Sequence, residues 1–475
     1  MRLYEKKSTV FDFVLRYKNM NCHLLKFHDW NVSFMNGFMK RFRKTVMFFF
    51  KFALLAAAVG LYVGAFKLYY EVPRLRFKDN YVIGVIHLLV FFTLSVSYHA
   101  YSIGILRLRE LIYSYGLAVL LANFTGWAQL SLMLHHFVSV KPMALLIAAQ
   151  MAAGVLIYIA GNAVYFKLRP PRAALAILAN PEDDQRVLRK FLKESRRYRI
   201  AAYVHESDGW ERITRAIDAQ PLVLMFGHGT HELRSRVVRY CYETEKRLLM
   251  IPTVDEIFIN NAEKCQIDDI PAFLFRNRQM TNEQRIIKRC VDIVGSALGL
   301  LVLSPLMLLT AAAIRLHDGG PVFFRQTRVT KDGREFQLIK FRSMVVDAEK
   351  RGPELAAARD SRITPVGRWI RMLRIDELPQ LFNILRGDMS IVGPRPERPE
   401  LVEEYCRVYP EFRYRLKVKA GLTGYAQVFG RYNTLFEDKV KLDLLYIQHF
   451  SLIFDFYIMI STIKILFMPS STEGV

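Results

Sequence analysis

Long apolar stretches alternate with basic segments through the first third of the chain. Four stretches are each long enough to cross a hydrocarbon layer of about 30 Å: residues 45–66, 80–106, 111–138 and 142–166. They predict a bundle of four transmembrane helices over residues 45–168, behind an N-terminal segment of residues 1–44. No signal-peptidase site follows the first stretch, so we expect this segment to stay on the chain.

Basic residues mark the ends of these stretches. They cluster at residues 41–44, 107–109 and 167–172, and the cytoplasmic loops of membrane proteins carry an excess of lysine and arginine. We therefore expect both ends of the bundle to face the cytoplasm. Residues 74–78 are also basic, although this orientation places them outside.

After Pro170 and Pro171 the pattern changes to short apolar runs that alternate with charged helical ones. Strands are predicted at residues 173–178, 200–204, 222–226 and 248–251, and helices at residues 183–197, 210–219 and 231–246. This alternation indicates a parallel sheet in a Rossmann-like domain over residues 170–280. The turn at residues 179–184 lacks the glycines that a dinucleotide site needs, so docking, dimerisation or regulation is the favoured role.

A further apolar segment, residues 291–314, is interrupted near its middle by Ser304 and Pro305. Proline removes a helical hydrogen bond, so it kinks or breaks a helix. One interpretation is a fifth transmembrane helix with a kink. The other is a re-entrant helix that turns at Ser304 and Pro305 and leaves by the face at which it entered. Basic residues at both ends, Lys288 and Arg315 among them, favour the re-entrant helix.

Residues 320–344 predict a β-hairpin. Apolar and polar side chains alternate on both sides of Lys-Asp-Gly at residues 331–333, and Asp-Gly is a strong hairpin-turn signal. Lys340 and Arg342 flank Phe341 on the second strand, so we expect them to point to one face. Two cations side by side indicate a phosphate clamp.

Two adjacent carboxylates, Asp376 and Glu377, follow a helix predicted at residues 365–373 and lie next to Arg374. Asp376 fits the N-cap of the next helix, where free N–H groups attract carboxylates and phosphates. Asp376 can be a mere cap. Alternatively, one of the two carboxylates can attack phosphorus while the other holds a divalent cation on the phosphate oxygens.

Two more charged residues stand out towards the C-terminus. Arg395 lies between two prolines, and this stiff turn suits a fixed contact with a phosphate whose charge changes during transfer. Asp455 interrupts the apolar run of residues 452–468, where an unpaired carboxylate is costly. We expect an interfacial helix that turns Asp455 towards the same site, with Asp443 and Tyr446 as supporting residues.

The chain has 475 residues and a formal net charge of +23, and 52% of its residues are hydrophobic. Such a charge favours an anionic partner: membrane phospholipid, phosphorylated substrate or nucleic acid. The basic residues cluster at membrane flanks and around the carboxylate pair, without a recognisable nucleic-acid-binding module, so we expect no nucleic acid partner. The five cysteines lack the spacing of a zinc site or a disulfide framework.

Ordered motifs run through the C-terminal region, residues 285–475. They are Lys288-Arg289, Ser304-Pro305, KFRSM (340–344), DELPQ (376–380), GDMSIVGPRP (387–396), GLTGYAQ (421–427) and SLIFD (451–455). Together they resemble the bacterial sugar transferase family, the monotopic polyprenyl-phosphate phosphoglycosyl transferases. The resemblance implies an α/β membrane protein with a four-helix transmembrane bundle and a Rossmann-like middle domain without the glycine fingerprint. A mixed α/β catalytic domain with a re-entrant helix at residues 291–314 completes this expected architecture, and the N-terminal half resembles the large membrane form of the family.

The resemblance also implies a reaction at the cytoplasmic face of the bacterial inner membrane. Hexose 1-phosphate would pass from a UDP-sugar to undecaprenyl phosphate with release of UMP, the first membrane step of exopolysaccharide, capsule or O-antigen biosynthesis. Asp376 is then the expected nucleophile of an aspartyl phosphosugar intermediate, and Glu377 the expected Mg²⁺ ligand. The remaining expected substrate-binding residues are Lys340, Arg342, Arg374, Arg395 and Asp455.

Two alternatives stay open at this point. An ordinary glycosyltransferase would release UDP instead of UMP, and a non-catalytic membrane scaffold would bind polyanions in a salt-sensitive way. Besides membrane lipids, a second copy of the chain is an expected partner, through the middle domain. The sequence does not indicate which sugar is transferred.

Overall fold

The computed structural model of the protein describes residues 32–69, 77–179, 188, 191, 197–226, 229–275, 280–346, 360, 362–430 and 434–466. The chain divides into two compact units. The first unit comprises Met1–Phe92, Tyr101–Ile112 and Val119–Pro170, and the second comprises Thr93–Ala100, Tyr113–Ala118 and Pro171–Val475. The middle and C-terminal regions therefore belong to one compact unit.

Helices account for most of the first unit. They are α1 (Val32–Tyr69), α2 (Phe77–Ser97), α3 (Leu108–Leu134) and α4 (Lys141–Leu168). Lys44–Tyr69, α3 and α4 are long and apolar enough to cross a membrane, whereas the apolar part described for α2, Val82–Ser97, is shorter. The second predicted span reached residue 106, but α2 ends at Ser97 and turns follow it.

A buried polar bridge ties three helices of this unit together. Asn123 of α3 donates to Gln150 Oε1 of α4 at 2.6 Å, and Gln150 donates to the carbonyl of Ala58 in α1 at 2.7 Å. In lipid there is no hydrophobic drive to bring apolar helices together, so such polar contacts help to set which faces meet. The bridge thus specifies the packing of α1, α3 and α4.

The middle region, which opens the main part of the second unit, contains a four-stranded parallel sheet in the order β2-β1-β3-β4. Its elements are β1 (Arg172–Leu178), β2 (Tyr198–His205), α5 (Trp210–Asp218), β3 (Leu222–Met225), α6 (His231–Glu243) and β4 (Arg247–Met250). The predicted parallel sheet is confirmed, with strand ends within two residues of those predicted. Most of the helix predicted at residues 183–197 lies outside the described residues. The Rossmann-like assignment and the homodimer stay predictions.

Two elements of the middle region were not predicted. Helix α7 (Val254–Asn260) follows the sheet, and its buried Val254 joins a core cluster of the C-terminal region that includes Phe412 and Val440. A two-stranded hairpin comes next, made of β5 (Glu263–Ile267) and β6 (Ile270–Leu274). The apolar pattern missed α7 because its seven residues are too short to show a helical period.

The C-terminal region begins with the long helix α8 (Asn282–Asp318), which is also apolar enough to cross a membrane. The elements after it are β7 (Phe323–Val329), β8 (Glu335–Phe341), α9 (Pro365–Met372), α10 (Gln380–Arg386), β9 (Ser390–Val392), α11 (Pro399–Val408), a 3₁₀ segment (Pro410–Lys417), β10 (Gly421–Thr423), α12 (Tyr425–Phe429), α13 (Phe436–Gln448) and α14 (Leu452–Leu466). Strands β7 and β8 form the predicted antiparallel hairpin, and β9 pairs with β10 in parallel. The overall class is therefore mixed α/β with apolar helices of membrane-spanning length.

Alternation along β8 explains how the hairpin packs. Phe336 and Leu338 point to one side and are buried against Leu381 and Ile384 of α10. Leu300 of α8 packs against this first cluster. Farther along α8, Met307 packs with Phe341 of β8 and Ile370 of α9 in a second cluster. The two clusters hold α8, the hairpin, α9 and α10 together as one core.

Helix α8 continues through Pro305. Proline has no N–H, so the carbonyl four residues earlier, that of Leu301, loses its helical donor. Ser304 Oγ donates to that carbonyl at 2.8 Å and replaces the missing bond. The interruption that we predicted at Ser304 and Pro305 is therefore not a break in the helix, and the course of α8 relative to a membrane stays a prediction.

Candidate active site

The two adjacent carboxylates lie in a short 3₁₀ turn, Ile375–Glu377, between α9 and α10. Arg374 begins this turn with a φ of 54°, in the left-handed region that few residues other than glycine adopt. Helix α10 begins later, at Gln380, with Pro379 at its N-cap. The prediction that Asp376 caps this helix is therefore wrong, because the turn separates the two, and capping does not explain this carboxylate.

Glu377 is surrounded by cations. Arg395 Nη2 donates to Glu377 Oε1 at 3.0 Å, and Lys340 Nζ lies 3.7 Å from the same oxygen. Burial by itself raises the pKa of Glu377, but the charges of Arg395 and Lys340 outweigh it and hold this pKa at about 2. Arg374 adds a further positive charge. Glu377 is therefore ionised throughout the physiological pH range.

Asp376 has the opposite shift. Burial and the negative charge of Glu377 raise the pKa of Asp376 to about 6, and the cations Lys340, Arg371 and Arg395 only partly oppose this. Asp376 is therefore mostly ionised at neutral pH, in surroundings that compensate its charge less fully than those of Glu377. Two neighbouring carboxyls with pKa values driven apart are typical of sites in which each has a separate task.

Sequence reasoning did not assign a role to Arg371. Its charge acts on Asp376, and its Nη1 is buried without a hydrogen-bond partner among the described residues. The available signal was its helical position, three residues before Arg374 on the helix that leads into the carboxylate dyad, Asp376 and Glu377. An unmet guanidinium donor next to Asp376 suits an anionic ligand.

The two cations predicted as a clamp separate in the structure. Lys340 lies beside Glu377, and burial lowers the pKa of its ammonium group while Glu377 raises it. Arg342 is buried and pairs with Asp318 at the end of α8. Strand β8 ends at Phe341, so the alternation that placed both cations on one face stops before Arg342.

Arg395 lies in a loop, residues 392–397, that we call the arginine loop. Donors from several elements bind its carbonyls: Lys288 Nζ to Val392 (3.0 Å), Gly421 N to Pro394 (2.8 Å), Arg415 Nη2 to Arg395 (3.0 Å), Arg328 Nη1 to Pro396 (3.2 Å) and Val329 N to Glu397 (3.0 Å). The backbone of the loop is therefore fixed before any ligand binds. Gly393 contributes a close approach, because a Cβ there would lie 2.3 Å from the carbonyl oxygen of Lys419.

Within the described part of the chain, Asp455 bonds to Lys288 and Tyr446 and not to the dyad. Its Oδ2 accepts from Lys288 Nζ at 2.5 Å, and its Oδ1 accepts from Tyr446 OH at 2.7 Å, all in a buried setting. Lys288 in turn binds the Val392 carbonyl. Asp443 forms a second buried pair, with Arg415 at 2.8 Å. Asp443, Tyr446 and Asp455 thus support the loop from below.

The structure brings five of the candidate residues together: Asp376, Glu377, Lys340, Arg374 and Arg395. Two others lie elsewhere, Arg342 beside Asp318 and Asp455 beside Lys288. The substrate-binding roles assigned to all of them stay predictions. The five form a cluster in which three cations surround one carboxyl with a raised pKa and one with a lowered pKa.

The carboxylates of the site suit one mode of Mg²⁺ binding. Among the described residues, no group of three or more His, Cys, Asp or Glu side chains could hold a metal ion by itself. Mg²⁺ commonly takes only one or two carboxylates and completes its shell with water and substrate phosphates. Asp376 and Glu377 offer that number of carboxylates, so the residues present fit this mode of binding.

Comparison with known proteins identifies the C-terminal region. The model of the family described as bacterial sugar transferase matches residues 283–469. The chain is 46% identical over 181 residues to the UDP-N-acetylgalactosamine-undecaprenyl-phosphate N-acetylgalactosaminephosphotransferase of Aeromonas hydrophila, covering 38% of this chain and 43% of that protein. It is 37% identical over 233 residues to the UDP-glucose:undecaprenyl-phosphate glucose-1-phosphate transferase of Escherichia coli (strain K12), covering 48% and 50% of the two chains.

The chain thus spans about half the length of these curated relatives. A third relative is matched over more of its length. The UDP-glucose:undecaprenyl-phosphate glucose-1-phosphate transferase of Caulobacter vibrioides is 44% identical over 183 residues, which are 37% of this chain and 68% of that protein. The family match over residues 283–469 includes the dyad and the arginine loop. This chain belongs to the bacterial sugar transferase family.

Proposed function

We propose that this protein transfers a hexose 1-phosphate from a UDP-sugar to undecaprenyl phosphate and releases UMP, as a first membrane step in polysaccharide biosynthesis. The observation that carries this proposal is the dyad, in which a carboxylate with a pKa near 6 adjoins one held near 2 inside a cluster of cations. The names of the relatives, which describe sugar phosphate transfer to undecaprenyl phosphate, support the same reaction class.

In the proposed first step, a carboxylate oxygen of Asp376 attacks the phosphorus that carries the sugar. The bond from this phosphorus to the bridging oxygen of the diphosphate breaks, and that oxygen leaves with UMP. The sugar phosphate is then held covalently on Asp376. In the second step an oxygen of undecaprenyl phosphate attacks the same phosphorus and frees Asp376, which leaves a diphosphate link between lipid and sugar.

The surrounding side chains have separate tasks in this mechanism. Arg395 and Lys340 both contact Glu377, and their charges are positioned to neutralise phosphate oxygens as the charge moves from Asp376 to UMP. Arg371, with its unmet Nη1, is suited to hold one of the two phosphate groups. Asp376 and Glu377 would hold Mg²⁺, which when bound supplies further positive charge to the diphosphate.

The nucleotide product tests this function directly. In membranes that contain the protein, undecaprenyl phosphate, Mg²⁺ and a panel of UDP-sugars, we expect UMP release over many turnovers that depends on the lipid. One sugar of the panel should be strongly preferred. Omission of the lipid is the matched control. Release of UDP would contradict the proposal and indicate an ordinary glycosyltransferase, and release of neither nucleotide would favour a non-catalytic scaffold.

We further propose that α8 is re-entrant and that both of its ends lie at the cytoplasmic face. Each end packs against the C-terminal region: Asp292 accepts from Ile391 N at 2.8 Å, and Asp318 pairs with Arg342. Between these ends, Leu301 and Leu309, on either side of Pro305, expose 72% and 70% of their surface. Proline can bend a helix without breaking it, so α8 can bend at Pro305, present these leucines to one leaflet and return to the same face, while Met307 packs against the C-terminal region.

The neighbouring helix α9 supports this location for the active site. Trp369 of α9 is 66% exposed and Leu373, which follows the helix, is 57% exposed, shortly before the dyad. Tryptophan is enriched where a protein meets the polar boundary of a membrane. The dyad would then face the lipid surface, from which the phosphate of undecaprenyl phosphate can reach Asp376.

Cysteine labelling tests the course of α8. In a variant without the native cysteines, an impermeant maleimide added to spheroplasts should label Phe137→Cys, whose native side chain is 86% exposed between α3 and α4. It should leave Glu283→Cys and Leu316→Cys, at the two ends of α8, unlabelled until the membrane is opened. Labelling at one end of α8 from outside would show instead that the helix crosses the membrane.

A further inference from the structure

Arg415 contacts the arginine loop from the 3₁₀ segment Pro410–Lys417. The residue is only 5% exposed. Its Nη2 donates to the carbonyl oxygen of Arg395 at 3.0 Å, and its Nε donates to Asp443 Oδ2 at 3.1 Å. Nη1 lies 3.8 Å from Glu397 Oε1. One buried guanidinium therefore joins the backbone of Arg395 to two carboxylates.

The orientation of this guanidinium is fixed by Asp443. Both Nε and Nη2 of Arg415 approach Asp443 Oδ2, the second at 2.8 Å, and Asp443 is 1% exposed. A planar guanidinium bound through two of its nitrogens cannot rotate, so the direction of its bond to the Arg395 carbonyl is also fixed. The ring of Phe412, 4.8 Å below the guanidinium carbon, covers one face of this plane.

The side chain of Arg395 needs this support because little else confines it. Its side chain is 44% exposed, and within the described part of the chain it donates a hydrogen bond only to Glu377. The position of its guanidinium therefore depends on where the backbone of residue 395 is held. Since small displacements of a charge that contacts a reacting phosphate lower rates strongly, the carbonyl contact matters for chemistry as well as for folding.

We infer that Arg415 is a positioning residue for the proposed phosphosugar transfer: it holds the carbonyl of Arg395 so that the Arg395 guanidinium meets Glu377, and Asp443 orients Arg415. This inference rests on the proposed function. Asp443 was expected to support the site, and the inference gives it an indirect role, because it acts on Arg395 through Arg415. It predicts that damage to Arg415 acts on turnover through Arg395 and through no other group.

Arg415→Lys is the first variant, because lysine keeps the positive charge but lacks the planar guanidinium that bonds to Asp443 and to the Arg395 carbonyl at the same time. We expect kcat for UMP release to fall roughly ten- to a hundredfold, with little change in KM for the UDP-sugar. Asp443→Asn, which keeps the volume and frees the guanidinium, should give a smaller loss of the same kind. It also serves as the test if Arg415→Lys fails to fold. Arg407→Lys is the control, since Arg407 lies on α11 with 81% of its side chain exposed.

A double-mutant cycle with Arg395→Ala separates positioning from a merely structural role. In the Arg395→Ala background, Arg415→Lys and Asp443→Asn should cause no further loss of kcat, because the group they position is gone. If the losses multiply instead, Arg415 acts independently of Arg395 and the inference is overturned. Failure of the proposed function is distinguishable, because wild-type protein would then release no UMP at all.

Discussion

Asp376→Asn is expected to abolish UMP release and, at the same time, to make the folded protein more stable. The amide keeps the shape of the side chain but cannot form the bond to phosphorus. Loss of a nucleophile should lower turnover by roughly a thousandfold or more. Given radiolabelled UDP-sugar without lipid acceptor, wild-type protein should retain labelled sugar phosphate after denaturation, and the variant should not.

The gain in stability follows from the pKa of Asp376. Its value is raised from 3.8 to about 6 on folding, so the folded state favours the protonated form. The stabilisation of the folded state by protonated Asp376 is fully present below pH 3.8 and is lost as pH rises through about 6. At neutral pH the ionised carboxylate therefore costs up to about 3 kcal/mol, at about 1.4 kcal/mol per pKa unit. Asparagine removes this cost, and the melting temperature in detergent should rise by several degrees.

Glu377→Gln is the matched control, because Glu377 is the adjacent residue and its pKa shifts in the opposite direction. The pKa of Glu377 falls from 4.5 to about 2 on folding, so its contribution is present above pH 4.5 and lost only as pH falls through about 2. The glutamine variant should melt at a lower temperature than wild type, because Arg395 and Lys340 lose their counter-charge. If Asp376→Asn melts lower as well, or still releases UMP, the assignment of Asp376 as the strained nucleophile is wrong.

The same shift predicts an acid limit for wild-type turnover. Asp376 attacks only when ionised, so the rate of UMP release should fall as pH drops to about 6 and below, and Mg²⁺ held at the dyad should shift this limit to lower pH. The charged groups that act on the pKa of Asp376 are Glu377, the other carboxylate of the dyad, and the cations Lys340, Arg371 and Arg395. Rapid-quench measurement of UMP from the first turnover, between pH 5 and 8, gives this acid limit without a contribution from the later transfer to the lipid.

Local patterns in the sequence predicted most of the secondary structure. Alternation placed β7 and β8, and the Asp-Gly pair placed the turn between them, where Asp332 and Gly333 have φ values of 58° and 78°. Alternating strands and helices predicted the parallel sheet of the middle region. These features depend on neighbours within a few positions, which a single sequence displays.

The partners of charged side chains were harder to predict. Asp455 was expected at the dyad, yet its partner Lys288 lies 167 positions earlier, and nothing local in the sequence connects them. Arg342 was expected beside Lys340, but the strand ends one residue before it. Motifs located the dyad and Arg395 correctly as neighbours, whereas the network that holds the arginine loop became visible only through contacts between distant segments.

Lys288→Met is expected to have a large effect on folding. The pair that Lys288 forms with Asp455 is buried, with 11% and 8% of the side chains exposed. Removal of one partner of a buried pair typically costs about 3–5 kcal/mol, because the other charge loses its compensation. Burial already raises the pKa of Asp455, and Lys288 opposes this. Without the lysine, Asp455 either stays charged at high cost or takes up a proton, so the variant should lose more stability at pH 8 than at pH 5.

The experiment compares melting temperature and yield of solubilised full-length protein for three variants. Lys331→Met is the matched control, because the pair of Lys331 with Asp332 is exposed and such surface pairs contribute about 0–1 kcal/mol. Lys288→Met with Asp455→Leu should regain part of the lost stability, since an apolar replacement leaves no buried charge. It should not regain full activity, because the Val392 carbonyl still lacks the donor that holds the arginine loop. Equal melting of the Lys288 and Lys331 variants would mean that the buried pair does not anchor α8 to the loop.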